Sequence, residues 1–225
     1  MQKKILSIVL TLCMLLSMFP FAIFAGAAEA TVQDDVHYPT TVISDSGKAL
    51  GVLDRYGRTV IEDADDLIAL ATSTNKTVLG GNYVISDDVD VIDLAGTEFV
   101  PIGTASNQFT GTFDGNGKTI NLAVEGSTLL GLFSVIGNGA TIKNVTVTGS
   151  VTGTGADVAG LVGCAGEATI ENCVNKATIT GGGANVGGIV ARFRIESTGY
   201  SELHMTNVVN EGTISAPSSS QRVGG

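Results

Sequence analysis

Side chains that could do chemistry are few, and they fall into four groups. Asp87, Asp88, Asp90 and Asp93 form the densest run of carboxylates. Several carboxylate oxygens in a short span could hold Ca²⁺, but their spacing matches no calcium loop. A solvated strand edge is the expectation there. Asp114-Gly-Asn-Gly117 could cradle a ligand, yet Asp-Gly and Asn-Gly are also strong tight-turn dipeptides because they supply positive φ. The third group holds the acids after position 125: Asp157, Glu167, Glu171, Glu196, Glu202 and Glu211. Glycosidic hydrolysis needs two carboxylates across the scissile bond. Asp157 and Glu167 could approach one another, but nothing in their spacing specifies it. Arg192, Arg194, Tyr200 and His204 are the fourth group. They read as a ligand loop, since an aromatic platform with polar flanks suits a sugar. No catalytic residue, metal site or cofactor is expected. There is no Cys-x-x-Cys, no His/Cys cluster, and no Ser/His/Asp or Cys/His arrangement around His37 or His204.

The elements that must position these groups begin with a leader. Lys3 and Lys4 precede the apolar run Ile5 to Leu16, which Phe19 and Phe21 to Phe24 extend, and Ala28-Glu29-Ala30 is a small-x-small cleavage site. Residues 1–30 therefore read as a secretory signal peptide. An uncleaved membrane anchor is the alternative, and Pro20 with the small-residue end favours the leader. Past the leader no segment is long and apolar enough to span a membrane. The 225 residues carry 12 Lys+Arg against 22 Asp+Glu, a net charge of -10. That balance excludes a basic nucleic-acid footprint and a polybasic lipid-docking surface. Acids crowd into residues 31–125, which suggests two differently built regions. Cys164 and Cys173 survive cleavage, enough for one disulfide but not for a disulfide scaffold. Asn75-Lys-Thr77 and Asn144-Val-Thr146 match glycosylation sequons, and neither is taken as modified.

Residues 31–59 are polar and irregular, with a hairpin expected around Asp54-Arg-Tyr-Gly57. Residues 60–108 form a cap with first strands. Asp63 is placed to N-cap a short helix, with Asp66 at its third position. Tyr83-Val-Ile85, Val91-Ile-Asp-Leu94 and Phe99-Val-Pro-Ile102 read as strands. Residues 109–225 are repetitive. Gly131-Leu-Phe133, Gly160-Leu-Val162 and Gly188-Ile-Val190 open three units. Their cores are Ile142-Lys-Asn-Val-Thr-Val147, Ile170-Glu-Asn-Cys-Val-Asn175 and Met205-Thr-Asn-Val-Val-Asn210. A shorter unit at Thr119-Ile-Asn-Leu-Ala-Val124 precedes them, and the third carries a nine-residue insertion around Arg194 to Tyr200. The 29 and then 28 residues between the opening glycines suit one coil of a parallel β-helix, so equivalent residues stack about 4.8 Å apart. Asn144, Asn172 and Asn207 then form a ladder with Asn121 beneath. A left-handed bend at each Asn lets both Ile142 and Val145 point inward. Lys143 meets Glu171 and Lys176 meets Glu211 on the outside. Cys173 falls in the apolar row of Val145 and Val208, and a disulfide to Cys164 would require it to leave that row. A β-sandwich has similar short strands but explains no single Asn register.

The units resemble the GLUG-type repeats of bacterial surface proteins, through Gly160-Leu-Val-Gly163 with Ile170-Glu-Asn-Cys173 and Val186-Gly-Gly-Ile-Val190 with Met205-Thr-Asn-Val208. The lead-in Phe109 to Ile120 and the run Asp88 to Leu94 with Val100-Pro-Ile-Gly103 are similar as well. The resemblance covers about residues 60–225. It implies an all-β, right-handed parallel β-helix of the pectin-lyase-like kind with a short helix-containing N-terminal cap, in a secreted or wall-attached bacterial protein. It implies no catalytic activity. Val223-Gly-Gly225 repeats Val186-Gly-Gly188 and opens a further coil, so the chain reads as the N-terminal part of a longer protein. The expected function is a secreted or cell-surface β-helix module, structural and adhesive, with a glycan or another cell-surface polymer as partner. The alternatives are a polysaccharide lyase or hydrolase, and a spacer for a downstream catalytic domain such as a peptidase.

Overall fold

Apolar triplets that alternate with Gly- and Asn-rich turns suit short strands joined at sharp corners. In the computed structural model strands make up 49% of the chain, and parallel sheets stack as a β-solenoid of about 5 turns. The structure describes residues 41–43, 47, 49–137, 139–194, 202–218 and 222–224. The leader 1–30, His37 and Tyr200 lie outside the described residues.

Each coil visits up to four faces. Face 1 stacks Asn82–Ile85, Thr112–Asp114, Ala140–Lys143, Ala168–Glu171 and Leu203–Thr206. Face 2 stacks Val91–Asp93, Thr119–Gly126 and Thr146–Gly153. Above them, two broken strands continue it: Val174–Asn175 with Thr178–Gly181, then Val209–Asn210 with Ile214–Ser215. Face 3 holds Val158–Ala159, Asn185–Gly187 and Arg222–Gly224, and face 4 holds Phe133–Ile136, Val162–Ala165 and Val190–Phe193. Among the described residues every pairing between coils is parallel. Side chains alternate across a strand: Ile120, Leu122 and Val124 point in, while Ala123 and Glu125 are exposed. Tyr83, Phe109, Phe113 and Phe133 fill the lower core. The Phe109 and Phe133 rings lie 5.2 Å apart, and Phe113 meets Phe133 edge-on at 5.5 Å.

The cap closes the first coil. Ala49–Leu53 and Thr59–Ile61 pair antiparallel around Asp54 to Gly57, as the turn residues predict, so the hairpin straddles the 59/60 boundary. Thr59–Ile61 then pairs parallel with Tyr83–Ile85, which converts the sheet from hairpin to solenoid. Helix α1, Ala64–Ala71, starts at Asp63, whose carboxylate accepts from the Asp66 N–H. It buries Leu67, Leu70 and Ala71. A four-residue helix α2, Lys76–Leu79, follows and was not legible in the sequence. The Tyr83 hydroxyl donates to the Val78 carbonyl and ties α2 to the first coil.

Two expected registers are corrected. Thr119–Gly126 is a full eight-residue strand in which Asn121 lies beside Thr148, not beside Asn144, and Phe113, not Thr119, lies beside Ile142. The reason is the corner. Asn116 at φ 53° and Gly117 at φ 74°, closed by Lys118 N–H to the Gly115 carbonyl, form a two-residue turn where later coils use one Asn. The nine extra residues also divide. The repeat rises from 28 residues between Asn144 and Asn172 to 35 between Asn172 and Asn207, and reaches 37 between Asn185 and Arg222. Only part of the insertion therefore falls near Arg194. Of the strand expected at Phe99 to Ile102, a single bridge at Ile102 forms.

Candidate functional site

The bend residues come first because they set every face. Asn144, Asn172 and Asn207 have φ of 54°, 53° and 52°, a region that Asn visits at little cost. Their amides form the expected ladder. Asn207 Nδ2 donates to Asn172 Oδ1 at 3.1 Å, and Asn172 Nδ2 donates to Asn144 Oδ1 at 3.1 Å. The foot of the ladder is Asp114, whose Oδ1 accepts from Asn144 at 2.9 Å. Asn121 does not belong to it. Its amide donates to Asp93 on face 2, and it accepts from Thr148. Burial pushes the Asp114 carboxyl up. The Asn144 amide, the Asn116 N–H and the Lys143 ammonium outweigh that and hold it below the usual carboxylate range. Lys143 stands beside Glu171 in register, but its ammonium reaches Asp114 at 3.5 Å. Lys176 and Glu211 pair at 3.3 Å as expected.

A second, internal ladder was present in the core motifs but not recognised there. Asn175 is fully buried; its Nδ2 donates to Asn210 Oδ1 at 2.7 Å and its Oδ1 accepts from the Ala177 N–H. This explains the opening glycines. A Cβ on Gly160 would overlap the Asn175 amide, and one on Gly188 would overlap that of Asn210.

Face 2 presents hydroxyls outward. Ser150 lies beside Thr178, and Thr152 beside Thr180, which lies beside Ser215. Thr213 continues the first column, since its carbonyl accepts from the Ile179 N–H. These six side chains are exposed, uncharged and held by inward Val151, Ile179 and Ile214. Adjacent coils place them about 4.8 Å apart, with about 6.6 Å between the columns.

The expected ligand loop divides. Arg192 sits on face 4 beside Cys164, and its Nε pairs with Asp157 Oδ2 at 3.1 Å. Asp157 is 6% exposed, and its Oδ1 accepts from Asn185 at 2.6 Å. Asn185 in turn accepts from Arg222 at 3.1 Å. This chain of side chains clips three coils together at one corner. Arg194 follows the strand, its N–H donating to the Ala165 carbonyl. His204 lies on face 1 instead, 3.1 Å from Glu202, and the two share a cleft of about 150 Å³ with Glu167 and Thr169. Asp157 and Glu167 thus serve different places, one a structural clip and the other this cleft. Cys164 and Cys173 are both buried and free of any disulfide. Burial pushes the Cys173 thiol up to about 11 despite backbone N–H groups that act the other way. Burial also raises Cys164, although Arg192 and Arg194 oppose it.

The acidic segment is turn chemistry. Asp87 accepts from the Asn116 amide, Asp90 pairs with Lys118 and Asp93 caps the Ala95 N–H. Among the described residues no group of three or more His, Cys, Asp or Glu side chains could hold a metal ion. Among the same residues no helix is long and apolar enough to cross a membrane.

Over 153 residues the chain is 33% identical to halomucin from Haloquadratum walsbyi, a match that takes in 62% of this chain and 2% of that protein. No family model matches the chain, and no solved structure does so. The β-solenoid and the likeness to part of halomucin are compatible with a surface structural role.

Proposed function

We propose that the chain is a secreted or cell-surface β-solenoid module with a structural and adhesive role. Its face 2 contacts a glycan or another hydroxyl-rich surface polymer. The carrying observation is the double column of exposed hydroxyls at Ser150, Thr178 and Thr213 and at Thr152, Thr180 and Ser215. Every strand face needs an outward row, but an outward row of six uncharged hydroxyls in register is a periodic donor and acceptor surface. It suits a repeating polymer better than a single small ligand. One hydroxyl contact exchanges a hydrogen bond to water for another and gains little. A rigid array multiplies small gains without further ordering cost. The similarity to part of halomucin supports a surface setting for such an array.

The test is sedimentation of the purified chain with insoluble polysaccharides. Binding should fall at least fivefold when Thr178 and Thr180 are both replaced by Asp, with the thermal midpoint little changed, because both side chains are exposed. Equal binding by both proteins would sink the assignment of face 2.

A polysaccharide-cleaving reading has one observation in its favour, the sharing of one cleft by Glu167, Glu202 and His204. Two carboxylates flanking a sugar are the minimum for glycosidic hydrolysis. We propose that the module is not an enzyme. Release of new reducing ends that Glu202→Gln abolishes would overturn this.

A further inference from the structure

A second polar cleft lies at the junction of the cap and the first coil. Lys76 of α2, Ser106, Gln108 and Thr110 line a volume of about 310 Å³. Its walls are fixed from both sides. The Thr110 and Gly111 N–H groups both donate to the Leu79 carbonyl, at 2.9 and 3.1 Å, so the strand leaving the cleft is bonded to α2. Phe109, between Gln108 and Thr110, is fully buried, with its N–H on the Val135 carbonyl. The Gln108 side chain lies across Gly137, where a Cβ would overlap its Oε1. Gln108 and Thr110 are themselves half-buried.

The Ser106 hydroxyl lies 3.3 Å from that of Thr104, but the other polar groups of this cleft are unspent. Lys118, Lys143, Lys176, Arg58 and Arg192 each hold a carboxylate. Arg222 bonds Asn185, and Arg55 and Arg194 are also engaged. Among the described residues, Lys76 is the one basic side chain with neither an ion pair nor a hydrogen bond. Among the described residues the Gln108 amide and the Thr110 hydroxyl likewise have no partner. An acidic protein, at -10 overall, has carboxylates to spare for pairing, and this lysine takes none. The cleft thus offers a full positive charge, an amide that donates and accepts, and hydroxyls. That set matches an oxyanion carried on a hydroxyl-bearing ring.

We propose that this cleft is a subsite for an acidic sugar unit, one that bears a carboxylate or a sulfate ester. Lys76 and the Gln108 N–H groups hold the anion, Thr110 donates to it, and Gln108 Oε1 accepts from a neighbouring sugar hydroxyl. The proposal rests on the glycan reading and adds a charge preference at a place away from face 2. The net negative charge of the protein repels a dense polyanion, so the target is a mostly neutral chain with isolated acidic units.

The experiment titrates the purified chain with a neutral oligosaccharide, a glucuronate-containing one, a sulfated one and sodium sulfate alone. Calorimetry gives affinities, and the amide signals of residues 106–110 report the site. At low salt the acidic oligomers should bind about tenfold more tightly than the neutral one. Lys76→Gln should remove that difference and leave the neutral affinity and thermal midpoint unchanged, while Lys76→Arg should keep it. Whichever of glucuronate and sulfate ester binds more tightly identifies the source of the anion. Equal binding of neutral and acidic oligomers by the natural chain, or a preference that persists in Lys76→Gln, overturns the subsite and leaves the glycan reading intact. Lys76-dependent shifts with sulfate alone, without retention of any oligosaccharide, would uphold the anion site and remove the glycan reading.

Discussion

Asn172 joins two demands at one position. Its backbone stands at φ 53°, and its amide bonds Asn144 below and Asn207 above. Asn172→Ala should cost about 1–2 kcal/mol in backbone strain, with about 1 kcal/mol more for each bond lost. Asn172→Gly relieves the strain but not the lost bonds. Its urea midpoint should lie between those of the natural chain and the Ala variant, and equal midpoints for Gly and Ala would show that the bend itself costs nothing. Asp114 at the foot of the ladder makes stability depend on pH. Its folded pKa is depressed, while an unfolded Asp titrates near ~3.9. The stabilisation is therefore complete above that value and lost as pH falls through the folded pKa. Urea midpoints of the natural chain should fall on acidification below about pH 4, and Asp114→Asn should flatten that slope.

At the scale of elements, several acids in residues 54–114 close the turn or cap the helix in which they sit, while Asp87 and Asp90 bond to Asn116 and Lys118 of the next coil. Asp54 accepts from Tyr56 and Arg58 N–H, Asp63 from Asp66, Asp93 from Ala95 and Asp114 from Asn116. These carboxylates therefore serve turn and cap chemistry. Asp63→Ala should lower stability by about 0.5–2 kcal/mol through loss of the α1 cap, measured as a shift of the thermal midpoint. An unchanged midpoint would mean that α1 is held by Leu67 and Leu70 alone. The corner that leads from face 1 into face 2 differs between coils. The earlier coil uses Asn116-Gly117, and the later ones use a single Asn, which is why a register read from Asn alone slipped there.

At the scale of the molecule, stacked coils share one core, and the aromatic cluster supplies its largest fully buried side chains. Phe133 is fully buried and touches both Phe109 and Phe113. Phe133→Ala should cost about 3–5 kcal/mol, read from denaturant unfolding. A loss below about 1 kcal/mol would indicate that the coils unfold independently. Higher up, the core is built of Val, Ile, Leu and Ala with Cys173 among them. The coils there are also joined by the two Asn ladders and the Asp157 corner.

The sequence alone determined the repeat, the Asn144–Asn172–Asn207 ladder, the α1 cap and the inward place of Cys173. All of these are periodic or local, since identical residues at a fixed spacing stack in identical surroundings. Tertiary structure alone decided which coil replaces the Asn bend with a two-residue turn, and so removed Asn121 from the ladder. It also sent His204 and Arg192 to different faces, paired Asp157 with Arg192 and left Lys76 facing an open cleft. These follow from closure of each coil in three dimensions: two extra residues at one corner shift the register of the strand that follows, and spacing along the chain does not specify which residues of different corners meet.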